Sequence, residues 1–184
     1  MRAVKDEVRV LGVDDAPFEF EDERTGLVGT VFRGGSYMEG VLREEVEVDG
    51  FDVTDKVLEM VNESKHRDQV QVALLDGITF AGFNVADLGR IAEEGEVGVV
   101  AVSRNKPDRE RMGNGLENVD KRGKREEIVE RAGEAKKHRV EDGTVYFQYS
   151  GIEEGKARDV LDLTCVRGVV PEPVRVADMI AAVI

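Results

Sequence analysis

The sequence predicts an α/β fold: a mixed five-stranded sheet, three antiparallel strands followed by parallel ones, with helices on both faces. Three observations carry this. Three strand-like segments come in succession before the first helical pattern. Two later apolar strand segments are each reached through a helical one. The core is aliphatic, because 41% of the 184 residues are apolar while Trp is absent, Phe numbers 7 and Tyr 3.

Residues 7–13 alternate and then become apolar, as a strand entering a core does, and stop before Pro17. Residues 27–33 form a second strand closed by Gly34-Gly35, and residues 41–48 a third before the Asp49-Gly50 turn. Thr54 reads as the N-cap of a helix with Val57, Leu58, Met60 and Val61 on one face. Residues 69–75 are a buried strand ending at Asp76-Gly77. Asn84 reads as the cap of a helix running to about Glu93, and residues 97–102 are the fifth strand. Residues 105–139 are charged and read as two exposed helices around Gly113–Gly115 and Gly123. A short strand at 144–149, a helix at 153–163 and a last helix at about 174–183, after Pro171-Glu172-Pro173, complete the chain. Consecutive strands form an antiparallel meander, and strands joined through helices lie parallel with right-handed crossovers. This resembles the ribonuclease H-like arrangement, and by that analogy the first and fourth strands are expected to be neighbours. The chain reads as a single domain, 1–184, with a charged helical insertion around 105–139.

Composition excludes several classes. One cysteine leaves no disulfide within the chain and no multi-Cys zinc or iron–sulfur site. No run of about 18 apolar residues is present, so no membrane-spanning helix is expected. The first residues, Met-Arg-Ala-Val-Lys-Asp-Glu, lack the apolar stretch of a signal peptide, and a cytoplasmic protein is expected. Net charge is −13, with 39 acids against 26 cations, and the cations are 17 Arg to 9 Lys. A high-acid, low-Lys balance suits a halophilic protein working in molar salt, where screening shortens the Debye length to about 3 Å. An ordinary acidic protein has the same totals.

Two strands stand out: Val10-Leu11-Gly12-Val13-Asp14 and Val72-Ala73-Leu74-Leu75-Asp76 are both apolar and both end in aspartate. As parallel neighbours they deliver two carboxylates to one sheet edge, where open α/β sheets bind ligands. Two such carboxylates repel, and a divalent cation removes the repulsion. With only oxygen ligands available, Mg2+ or Mn2+ fits. Asp at a strand end also serves as a plain turn residue. Asp49, Asp52 and Asp55 follow the third strand. Asp49 is the best further metal ligand among them, with turn and N-cap chemistry as the other reading.

Gly12-Val13-Asp14, Leu75-Asp76-Gly77 and Pro171-Glu172-Pro173-Val174-Arg175-Val176-Ala177-Asp178 occur in that order. The set resembles endonuclease V, a metal-dependent nuclease of ribonuclease H-like fold that cuts near deaminated bases. Along nearly its whole length the chain is more similar to an archaeal family of endonuclease V-like proteins, sometimes named endonuclease dU. The segments carrying this include Val31–Gly35, Asp49–Lys56, Ser64-Lys65-His66 and above all Leu75–Asn84.

The resemblance implies that Asp14 and Asp76 match the first and second catalytic aspartates. Asp49 matches the intervening catalytic glutamate, with Asp52 competing. Arg104 stands in the place of a catalytic lysine, with Lys106 close behind, and Asp178 corresponds to the terminal His or Asp. It implies metal ligation by Asp14, Asp49, Asp76 and Asp178, with Mg2+ (or Mn2+) as cofactor and Arg104 neutralising charge on the phosphate. It implies hydrolysis of DNA, single-stranded or lesion-containing, near uracil or hypoxanthine, as in DNA repair. Two departures bear on recognition. Phe80-Ala81-Gly82 stands where endonuclease V has His-Pro-Arg, and no Pro-Tyr-Ile-Pro-like wedge is present. A non-catalytic nucleic-acid or nucleotide-binding protein, or a hydrolase of RNA or small nucleotides, is the other reading.

Phe18, Phe80 and Phe83 lie beside the motifs and wall a base pocket or pack in the core. Ser64-Lys65-His66-Arg67 contacts phosphate or closes a helix. The mixed charges of 121–137 read as a solvated helix face. His138 shows no partner, and Cys165 reads as core packing.

Overall fold

The computed structural model describes residues 7–19, 21–117 and 119–184. The first six residues, the bulk of the segment read above for a signal peptide, lie outside them, as does Asn118 of the charged insertion. The strands are β1 (Arg9–Asp15), β2 (Arg24–Arg33), β3 (Tyr37–Glu47), β4 (Val70–Asp76), β5 (Thr79–Phe80), β6 (Asn84–Val85), β7 (Gly98–Ser103), β8 (Lys136–Val140) and β9 (Gly143–Ser150). The helices are α1 (Val53–Glu63), α2 (Leu88–Gly95), α3 (Arg109–Leu116), α4 (Arg122–Arg131), α5 (Glu154–Thr164) and α6 (Glu172–Ala181).

The main sheet has seven strands in the order β3-β2-β1-β4-β7-β9-β8, not the five expected. The meander β3-β2-β1 is antiparallel, and β1, β4 and β7 are parallel, as expected of strands joined through helices. The extra strands come from the C-terminal half. β9 pairs antiparallel with β7, and β8 pairs antiparallel with β9. β8 overturns the expectation of helix to residue 139. Its Lys-Lys-His-Arg-Val sequence lacks a buried face except at Val140, and such charges suit the sheet's outer edge, where they oppose further strand pairing.

Strand alternation builds a core on each face. Leu11 and Val13 of β1, with Ala73 and Leu75 of β4, pack with α1 and α2 through Val57, Met60, Leu88 and Ile91. Val10, Val72, Leu74, Val100 and Val102 face the other way, onto Val160 and Leu161 of α5 and Val174 of α6. Each buried Val or Leu contributes about 1.5–3 kcal/mol relative to exposure. Among the described residues no helix is long and apolar enough to cross a membrane.

Two caps differ from expectation. Thr54 lies inside α1, and its hydroxyl accepts the Asp87 N–H at 3.0 Å. Asp87 caps α2 by accepting the Arg90 N–H. Asn84 instead sits in the β5–β6 hairpin. Its amide donates to the Glu47 carbonyl and to Asp52, and its oxygen accepts the Val53 N–H.

Candidate active site at the sheet edge

The candidate site follows from strand register and period two. β1 and β4 run parallel with Val13 beside Leu75, so the next residues, Asp14 and Asp76, leave the sheet side by side. Alternation puts both on the α6 face, the face of Val10, Val72 and Leu74. In the next parallel strand Val102 pairs with Asp76, and Arg104 follows just past the end of β7, where its charge acts on Asp76. α6 brings Asp178 over this edge. Its start is fixed because Gly12 has no side chain and because the buried Thr30 hydroxyl donates to the Pro173 carbonyl at 2.6 Å.

The electrostatics match this convergence. Asp14 is buried, and its pKa rises from the ordinary 3.8 to about 8. Loss of water is the main cause and the Asp76 charge the next. Asp15 and Asp178 add to the rise, while the Asp15 N–H, donating to the Asp14 carboxylate at 2.9 Å, opposes it. Asp76 has an open surface but stands deep among neighbouring atoms. That desolvation raises its carboxyl, Arg104 lowers it, and Asp178 and Asp15 raise it further. Asp76 and Asp178 therefore act on Asp14, and Arg104 and Asp178 on Asp76, at one edge.

Asp49 is not among the groups that act on the Asp14 and Asp76 carboxyls; it binds the β5–β6 hairpin through Ala81, to which Asp15 also bonds. Asp14 pairs with Val28 and Val28 with Arg43, so Arg43 is the β3 residue level with Asp14. β3 runs on past that level to Glu47, and Asp49 lies in the turn that follows. There its carboxylate accepts the Phe83 N–H at 2.8 Å and its own N–H donates to Ala81. Asp52, the competing choice, accepts from Asn84 and from the Glu47 N–H. Sequence reasoning missed Asp15. Its carboxylate accepts the Ala81 N–H at 2.9 Å, tying the end of β1 to the β5–β6 hairpin, and burial raises its pKa. The Asp14-Asp15 doublet was its only sequence signal.

Beside Asp76 opens a cleft of about 780 Å3 lined by Phe83, Arg104, Lys106 and Arg111 among others. Among the described residues none of these three cations has an ion-pair partner within 4 Å. Of the three candidate aromatics, Phe80 is core, Phe18 is exposed and Phe83 is the cleft wall. The Ser64–Arg67 segment follows α1 and precedes the start of β4, so it lies at the opposite edge of the sheet. His138 is partnered, by Asp162 at 2.7 Å and Arg158 at 3.0 Å.

Among the described residues no three His, Cys, Asp or Glu side chains form a group ready to hold a metal ion. The donor chemistry nevertheless fits a hard dication. All the donors at the edge are carboxylate oxygens; the Asp76 charge opposes ionisation of Asp14, and the Asp178 charge opposes that of both. A cation there relieves that conflict.

The mixed α/β fold is ribonuclease H-like in arrangement and carries an acidic pair at the ends of neighbouring parallel strands. Residues 6–184 match the family model described as endonuclease dU, and the chain belongs to that family. A UPF0215 protein of Methanopyrus kandleri is 49% identical over 183 residues, 98% of this chain and 93% of that protein. A crystal structure of an Archaeoglobus fulgidus protein of unknown function superposes with TM-score 0.84 at 39% identity, covering 94% of this chain and 95% of that one. Endonuclease V of Ciona intestinalis, solved with a DNA containing an inosine, superposes with TM-score 0.63 at 13% identity over 94% of this chain and 84% of that one. At that identity the likeness shows the fold.

Proposed function

We propose that this protein is a metal-dependent endonuclease that hydrolyses a phosphodiester bond in DNA near a deaminated base, uracil or hypoxanthine. The observation that carries the reading is the juxtaposition of Asp14 and Asp76, with Asp178 and Arg104 acting on the same edge. Asp14 and Asp76 would hold Mg2+ or Mn2+, with Asp178 beside them. Bound there, the ion supplies Lewis-acid polarisation and a more acidic water.

The protein's own groups do the rest. Arg104 faces the charge that grows on the phosphoryl oxygens as water adds to phosphorus and the P–O bond breaks. A carboxylate of the edge takes the proton that water releases. Lys106 and Arg111 extend the positive lining away from Asp76, which suits a polyanionic strand despite the net charge of −13. The fold neighbours bound to inosine-containing DNA support the substrate class.

The test is a cleavage assay in Mg2+ or Mn2+ across a range of salt. Substrates are duplexes and single strands with deoxyuridine, deoxyinosine or no lesion. Lesion-dependent nicking, lost in Asp14→Asn and Asp76→Asn proteins that remain folded, is the expected result. No cutting of DNA by folded protein under any condition sinks the reading and favours a non-catalytic nucleic-acid or nucleotide binder, consistent with the lack, among the described residues, of three such side chains grouped to hold a metal ion.

A further inference from the structure

We propose that Phe83 is a nucleotide-stacking wall of the cleft beside Asp76 and that Arg125 is the positioning residue that holds it there. This rests on reading the cleft as a nucleic-acid site and does not require that the chain cut. Arg125 is the largest fully buried side chain among the described residues, although it lies in a run of charges. Its guanidinium bonds only to carbonyls: Asp120 at 3.0 Å, Gly50 at 2.9 Å, Asp49 and Phe83. It also lies over the Phe51 ring, 4.0 Å from the centroid. One side chain thus ties α4 to the β3–α1 turn and to the tip of the β5–β6 hairpin.

Phe83 is held from three directions. Arg125 takes its carbonyl, the Asp49 carboxylate takes its N–H at 2.8 Å, and its ring rests against Gly115 of α3. A β-carbon at Gly115 would come within 2.9 Å of ring atom Cε1, so the glycine makes room for the ring. This much anchoring is more than an aliphatic contact needs, and the result is a half-buried aromatic facing a cleft with Asp76, Arg104, Lys106 and Arg111. Cations that follow phosphates, with an aromatic on which a base stacks, form the recurring chemistry of single-strand binding. The ligand class is an unpaired nucleotide within a nucleic-acid strand. The assignment also gives Asp49 a role as a clamp on the wall.

The experiment uses the full chain carrying Asp14→Asn, in Mg2+, with a fluorescein-labelled single-stranded oligodeoxynucleotide, and a 5-iodouracil version for photocrosslinking. Crosslinked peptide mapping is expected to find Phe83. Phe83→Leu is expected to weaken binding about tenfold, the size of one lost stack, and to abolish that crosslink, while Phe83→Tyr restores both. Arg125→Lys, which cannot reach all four carbonyls, and Gly115→Ala, which displaces the ring but leaves Arg125 alone, are expected to weaken binding similarly with near-native circular dichroism. Unchanged affinity in Phe83→Leu overturns the proposal. Weakening by Arg125→Lys with Phe83→Leu unaffected overturns it too, because Arg125 then acts on the fold alone. If Arg125→Lys fails to fold, Gly115→Ala decides: unchanged affinity overturns the proposal, and a tenfold loss supports it. Failure of the parent chain to cut DNA would overturn the nuclease reading and leave these binding outcomes intact.

Discussion

Gly12 and Pro173 are in direct contact: a β-carbon on Gly12 would stand 2.5 Å from the Pro173 carbonyl oxygen and 2.6 Å from its Cβ. Two motifs distant in sequence, Gly-Val-Asp on β1 and Pro-Glu-Pro at the start of α6, are thus halves of one joint. The joint sets where Asp178 falls relative to Asp14.

Gly12→Ala therefore drives a methyl into backbone that cannot rotate away. It is expected to destabilise the protein by about 2–3 kcal/mol, the overpacking range, and to lower Tm by several degrees. Thr30→Val, which removes the hydrogen bond to the Pro173 carbonyl at nearly constant shape, is expected to cost about 1–2 kcal/mol. Denaturant melts check both. A Gly12→Ala protein as stable as the parent would mean that α6 does not seat on β1 this closely.

Asp14→Asn is expected to stabilise the metal-free protein while abolishing any activity that needs the acid pair. A carboxyl whose pKa rises from 3.8 to about 8 on folding costs nothing at pH 4. The cost grows as pH climbs through that interval and levels off above pH 8. The full span sets an upper limit of about 6 kcal/mol, and relaxation and water entry reduce the expected gain to about 2 kcal/mol. Thermal melts of both proteins in EDTA should coincide near pH 4 and diverge toward pH 8, the variant being the more stable. Saturating Mg2+ should narrow the gap by stabilising only the parent. Melts that run parallel across that range would contradict the burial-driven shift.

The acid pair was legible in the sequence because its two strands are apolar on both faces and each closes on aspartate. Parallel pairing alone then makes Asp14 and Asp76 neighbours. The bonds of Asp49 to the β5–β6 hairpin were not legible, because chain order says nothing about which turn meets Ala81 and Phe83. β8 was hidden for a different reason: an edge strand needs no buried face, so Lys136–Val140 carries none of the alternation that marks a strand. Arg125 was equally hidden, since its burial is set by carbonyls of turns far away in sequence. The motif Leu75–Asn84 was conspicuous as a string. Its physical content appeared only in the hairpin, where Ala81 and Gly82 take positive φ and Asn84 bonds Glu47, Asp52 and Val53.

Cys165 is expected to be inert in the native protein. It is 8% exposed, and burial with the nearby Asp162 charge pushes its thiol up to about 12, so almost no thiolate exists at neutral pH. An aromatic disulfide reagent at pH 8 should report no free thiol in the folded chain and one after denaturation. Rapid labelling of native protein would show that the end of α5 opens locally.

Stability is expected to rise with KCl. Two effects oppose each other. Salt weakens the ion pairs, such as Arg122–Glu126 at 2.6 Å and Arg90–Glu94 at 2.7 Å, but each exposed pair contributes only about 0.2–1 kcal/mol. Salt also screens the repulsion of 39 acids against 26 cations, and at the sheet edge that between Asp76 and Asp178. The second effect acts over the whole molecule and at a partly desolvated cluster, so it dominates. Tm in EDTA should climb as KCl goes from about 0.1 to about 2 M, where the Debye length falls from about 10 Å to below 3 Å. Asp76→Asn, which removes one charge from the cluster, should climb less steeply. A Tm that falls with KCl would mean that the surface pairs outweigh the acidic excess, and the composition would then be that of an ordinary acidic protein.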